Sequence, residues 1–141
     1  MRYAVDASVS LKWGIQEPDS AKADALRQDY VSGVHDLIAP DICPVEVAHV
    51  LTRAERRKII AVGQALPLLA DIMSTAPTLH SYLSLLNRAT ALSSRTQQGV
   101  YDCLYVALAE AEGCELVTAD AKLLRKLAPA FPFIISLASL P

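Results

Sequence analysis

Short apolar runs of strand length alternate with longer segments of helical spacing along this chain, and that alternation confines it to the α/β class. Residues 3–5, 37–39, 78–80, 115–118 and 133–135 read as strands. Between them, residues 8–13 start a short helix, and 19–31 carry helical spacing at Ala21, Ala25, Leu26 and Tyr30 before Gly33 ends the run. Pro44 suits the first turn of a helix running to about Lys58. Residues 61–73 are also helix-like, with Pro67 marking either a start or a kink. Helices follow at 82–92 and at 100–112, the second closed by Gly113, with a polar connection over 93–99. Asp120 can cap a last helix to about Leu127. Strands joined through helices pair in parallel, so the expected architecture is a largely parallel sheet covered by helices.

With 141 residues and no internal repeat or linker, the chain is expected to form one domain over 1–141. It is 52% hydrophobic against 20% charged, and part of that apolar surplus is expected to cover a protein interface. Charges and prolines interrupt every apolar stretch before the ~20 residues of a membrane span, and the opening MRYAVDAS lacks a signal-peptide layout. The expectation is a soluble cytoplasmic protein with no membrane partner. Cys43, Cys103 and Cys114 are odd in number and form no C-x-x-C pair, so they read as reduced thiols. A net charge of −2 excludes a globally basic nucleic-acid surface. Local basic clusters remain, one over 53–58 and one at Lys122, Arg125 and Lys126; taken alone, each reads more readily as a solvated helix face than as a phosphate contact.

Four carboxylates stand where apolar side chains belong. Asp6 ends the first strand, Glu46 lies in the first turns of the helix opened by Pro44, Asp102 in the first turn of the 100–112 helix, and Asp120 just after the fourth strand. Burying an ionised carboxylate without a partner costs several kcal/mol, so such acids are normally paired, protonated or bound to a cation. In a parallel sheet, Asp6 and Asp120 share the carboxyl edge, where open α/β sheets bind ligands, and helix starts face that same edge. Each acid also has a plainer reading. Asp120 suits a helix cap, Asp6 a turn residue, and Glu46 an ordinary first-turn acid. Asp102 fits such a reading least, because it leads into Cys103–Ala109, a run apolar nearly all round and therefore buried.

Oxygen donors without an accompanying Cys or His set suit hard cations, Mg²⁺ or Mn²⁺. Such a site points to phosphate-ester chemistry with a metal-activated water and no protein nucleophile. Competing constellations fail. Glu46 and His49 match one half of a di-iron Glu-x-x-His pair, but the second copy is missing, which leaves His49 on the helix surface or beside a ligand. His35 and His80 have no ligand partners at useful spacing. Ser8 and Ser10 lack a G-x-S-x-G setting, and neither a G-x-G-x-x-G nor a P-loop motif occurs. A phosphatase using a strand-end Asp needs a second Asp at the position of Ser8.

Four stretches hold these acids: Val5-Asp6-Ala7-Ser8 with Leu11-Lys12-Trp13; Pro44-Val45-Glu46-Val47-Ala48 followed by Arg56-Arg57-Lys58-Ile59; Tyr101 to Glu110; and Leu116-Val117-Thr118-Ala119-Asp120. Taken together, these blocks resemble the PIN-domain ribonucleases, specifically the VapC type of toxin from toxin–antitoxin pairs. The resemblance implies an α/β/α sandwich and a Mg²⁺ or Mn²⁺ site in which Asp6 and Asp102 lead, with Glu46 and Asp120 completing the acidic quartet. It also implies endonucleolytic cleavage of structured RNA, a small antitoxin that blocks the site, and a homodimer. Ser8 and Thr118 would hydrogen-bond the metal ligands, and Lys12, Arg56, Arg57 and Lys122 are the candidates for the RNA backbone. His49 stands where the family form Glu-Val-Ala-Asn has Asn, and Cys103 where Ala is common; neither change removes a carboxylate. The alternative is a non-catalytic PIN-fold module acting through a partner complex.

Overall fold

Tyr3, Ala4 and Val5 are consecutive and all buried, which a strand permits only when both sheet faces are covered, since neighbouring side chains point to opposite faces. In the computed structural model, which describes residues 1–141, they belong to β1 (Arg2–Val5) at the middle of a five-stranded sheet. The other strands are β2 (Asp36–Pro40), β3 (Thr78–His80), β4 (Glu115–Thr118) and β5 (Ile134–Ser136), in the order β3-β2-β1-β4-β5. Every pairing is parallel. Leu37 to Ala39 and Leu116 to Thr118 repeat the fully buried pattern of β1, so helices flank the sheet in an α/β/α sandwich.

The helices are α1 (Ala7–Leu11), α2 (Ser20–Val31), α3 (Cys43–Arg56), α4 (Ala65–Met73), α5 (Leu86–Thr96), α6 (Val100–Glu112) and α7 (Ala121–Leu127). Helix α6 lies against β1 and β2, and all seven residues from Cys103 to Ala109 are buried, as their unbroken apolar run requires. Gly113 closes α6 at φ 62°, a left-handed conformation that favours glycine. No helix is long and apolar enough to cross a membrane. The three cysteines are free thiols, two buried and Cys114 half-buried.

The chain departs from the local sequence pattern in three places. Pro67 falls in the first turn of α4, so it marks a start and no kink. The expected 82–92 helix divides into a 3-10 turn at Tyr82–Ser84 and α5, and α5 continues to Thr96, through residues whose polarity suggests a connection. A hydroxyl in that stretch is satisfied inside the helix, Thr96 donating to the Leu92 carbonyl at 2.7 Å. Packing of α5 on α6 then outweighs the weak propensity. The last strand lies one residue later than its apolar run, because the Phe133 carbonyl accepts from the Leu116 amide and opens the ladder there.

From β1 the chain proceeds outward through β2 to β3, then returns to place β4 on the other side of β1. Strand order therefore reverses between β1 and β4. A crevice forms outside the carboxyl ends of strands at such a reversal.

Candidate functional site

Asp6 immediately follows β1 at this reversal, and its amide donates to the Val117 carbonyl of β4 at 3.4 Å. Asp6 occupies the cap position of α1, yet its side chain makes no cap hydrogen bond. Both carboxylate oxygens turn to hydroxyls instead: Ser8 donates to Oδ1 at 2.5 Å and Thr118 to Oδ2 at 2.6 Å. Those hydroxyls are themselves aimed by backbone, since the Ala119 amide donates to Ser8 Oγ and the Asp120 amide to Thr118 Oγ1, each at 3.0 Å. Asp6 is only 6% exposed. Burial drives its pKa from 3.8 up to about 6, against the two hydroxyl bonds and with added repulsion from Asp120 and Asp102.

Asp120 caps α7, its Oδ1 accepting from the amides of Lys122 at 2.9 Å and Leu123 at 3.2 Å. The plainer reading of this residue is thus structurally real. It also leaves Oδ2 uncommitted beside Asp6 and Asp102, which both feel its charge. Asp102 opens the first turn of α6, where burial and then Asp120 raise its pKa while Lys122 opposes them. Glu46, in the first turn of α3, is raised by burial, lowered by a hydrogen bond from Tyr105, and raised again by Asp102. Repulsion therefore links Asp6, Asp102 and Asp120, and reaches Glu46 through Asp102.

None of the four has an ion-pair partner. The protein's ion pairs lie elsewhere, among them Arg2–Glu112, Lys12–Glu17, Arg27–Asp71 and Arg88–Glu110. Uncompensated carboxylates with only oxygen donors fit a hard divalent cation. No three of them converge closely enough to enclose an ion. Mg²⁺ keeps several waters and binds through one or two carboxylates, so it needs no closed cage of three.

Tyr105 is a site residue that the sequence pattern concealed. Its hydroxyl donates to Glu46 Oε1 at 2.7 Å, and burial, with Cys43 and Glu46 adjacent, pushes the phenol pKa far upward, so it stays a donor. A tyrosine in an otherwise apolar buried helix signals this, because a buried phenol needs a partner. His49 is exposed on α3 and borders a cavity of about 540 Å³ with Glu46, Val45 and Tyr101. His35 faces Asp29 at 3.6 Å and His80 faces Glu112 at 3.4 Å, both remote from the quartet in their contacts. Of the basic candidates, Lys12 and Arg57 border a second cavity that reaches Ser8, and Arg53 joins them there in place of Arg56. Lys122 stands near Asp102.

The PIN domain model matches residues 3–128, which span the whole sheet crevice and all four acids. The chain belongs to the PIN domain family. This PIN domain is 33% identical to Ribonuclease VapC3 of Pyrobaculum aerophilum over 138 residues, covering 96% of this chain and 99% of the relative. The crystal structure of PAE2754, also from Pyrobaculum aerophilum, superposes with a TM-score of 0.71 at 20% identity, covering 99% of this chain and 94% of that one. At that identity the second likeness establishes the shared fold. The resemblance drawn from the four sequence blocks is borne out at the level of family and architecture.

Proposed function

We propose that this PIN domain is a metal-dependent endoribonuclease, the toxin of a toxin–antitoxin pair, that cleaves structured RNA by attack of water on a phosphodiester. The observation that carries this reading is the gathering of Asp6, Glu46, Asp102 and Asp120 at the strand-order reversal with no ion-pair partner. Similarity to a protein named Ribonuclease VapC3 supports RNA as the substrate.

Asp6 and Asp102 would hold Mg²⁺ or Mn²⁺, with Glu46 and Asp120 completing its surroundings. The ion, when bound, lowers the pKa of water and neutralises charge building on the phosphate. Asp6 is held rigidly for that task, since Ser8 and Thr118 fix both its oxygens. Glu46 has one oxygen held by Tyr105 and the other free to take the proton released by the attacking water. The low dielectric that raises the pKa values of Glu46 and Asp102 also strengthens every charge interaction in the crevice.

The cavity edged by Val45, His49 and Tyr101 beside Glu46 supports a small antitoxin that seals the site. Exposed Ile59, Val62 and Leu66 supply apolar surface for a homodimer. The domain works in the cytoplasm as one unit over 1–141.

Mapping RNA ends after incubation with purified protein tests the reading. Cleavage is expected in Mg²⁺ and absent in chelator, and Asp6→Asn or Asp102→Asn should lower the rate by orders of magnitude. Wild-type activity in both variants would remove the metal-site claim. Growth arrest that persists in both would favour the non-catalytic module.

A further inference from the structure

The cavity next to the acid cluster has a wall of cations that the catalytic reading does not use. Its volume is about 280 Å³, and it touches Ser8 and Ala119, the two residues whose hydroxyl and amide brace Asp6. Lys12 ends α1 on one side of it, while Arg53 and Arg57 close α3 on the other. A four-residue spacing puts the two arginines on one helix face, and packing of α1 on α3 brings Lys12 to that face.

These three cations face a single acid, Glu17, which approaches Lys12 no closer than 3.8 Å. Arg53 and Arg57 make no ion pair or side-chain hydrogen bond. The Lys12 side chain is only 10% exposed, and its one ion pair, with Glu17, is long. Leu11, Ile15 and Val50 supply apolar wall between the charges, where a lower local dielectric strengthens their attraction for an anion. The volume is slightly below the range of about 300–1,000 Å³ that holds a drug-sized molecule, a size suited to one phosphate with its sugar.

We infer that the cavity walled by Lys12, Arg53 and Arg57 is a phosphate-binding subsite, which seats the backbone of the RNA strand flanking the bond held at the acid cluster. The inference rests on the nuclease reading and assigns polarity to the crevice: acids with their cation at one end, fixed basic side chains at the other. Arg forks and the Lys ammonium recognise phosphate oxygens without reading base identity, so the subsite fixes where the strand lies and not which sequence is cut.

Fluorescence anisotropy of a fluorescein-labelled RNA hairpin, titrated at several NaCl concentrations, tests this. The parent is the Asp6→Asn protein, expected to bind without cutting. Each phosphate contact contributes roughly 0.7–0.9 to the slope of log K against log salt. Lys12→Met with Arg57→Gln is expected to flatten the slope by about 1.5. Arg57→Gln alone, a change at an exposed helix end, should flatten it by about half as much. Arg2→Gln with Arg88→Gln, equal in charge removed but outside the cavity and paired with Glu112 and Glu110, should leave the slope unaltered. An unchanged slope in the first pair, or an equal fall in the second, overturns the subsite. A flattened slope together with a wild-type protein that cuts no RNA upholds the subsite and overturns the nuclease reading; cutting with an unchanged slope does the reverse.

Discussion

Tyr105 and Glu46, separated by 59 positions in sequence, share a hydrogen bond of 2.7 Å that joins helix α6 to helix α3 beneath the acid cluster. The phenol is buried and cannot ionise near neutral pH, so it always donates and leaves only one Glu46 oxygen free for chemistry.

Tyr105→Phe keeps the ring and removes that donor. Loss of one buried hydrogen bond should cost about 1–2 kcal/mol of stability by urea melting. Because the bond lowers the Glu46 pKa, its loss raises it, so the acid limb of the kcat profile is expected to move to higher pH. We expect kcat to fall about tenfold with KM little changed, as for a positioning residue.

Asp6 makes the metal-free protein sensitive to pH in the sense opposite to an ordinary carboxylate. Its folded pKa of about 6 lies above 3.8, so between those values the folded state binds the proton that the unfolded state has released. The contribution of Asp6 is therefore fully favourable below about pH 4, and it is lost as pH rises through 6. Asp6→Asn should abolish this dependence and stabilise the metal-free protein at pH 7 by up to about 3 kcal/mol. Chemical denaturation of both proteins in chelator at pH 5 and pH 7.5 measures the difference; equal slopes in the two would refute the assignment.

Divalent cation should reverse that penalty. Mg²⁺ at about a hundred times its dissociation constant stabilises the folded state by about 2.7 kcal/mol, visible as a higher thermal midpoint at pH 7.5. Asp102→Asn is expected to lose most of this rise while melting normally without metal.

Asp120 has a cap role and a charge role that one pair of variants separates. Asn caps as well as Asp, so Asp120→Asn should leave stability nearly unchanged, whereas Asp120→Ala should cost about 1 kcal/mol. If the uncommitted oxygen serves the ion, both variants lose activity to a similar degree, and less than Asp6→Asn does. Full activity in Asp120→Asn would reduce this residue to a cap.

Much of the fold is legible locally. Residues 115–118 are a strand bounded by Gly113 and Asp120, and Asp120 caps the helix that the pattern placed after it, since turn and cap chemistry depend on a few adjacent residues. The end of α5 was not legible, because the helix is held by its packing on α6, which no local preference announces. Tyr105 was also hidden, inside an apolar run.

The sequence by itself determined the alternation of strand and helix, the four acids at strand tips and helix starts, and the family, because period, capping and motif are properties of neighbouring residues. Only the tertiary structure decided which atoms meet there. Asp6 and Thr118 are 112 positions apart, and they bond because β1 and β4 are adjacent across the strand-order reversal. Strand order is settled by long-range packing of buried faces, and that packing turned four separate acids into one crevice with a basic wall.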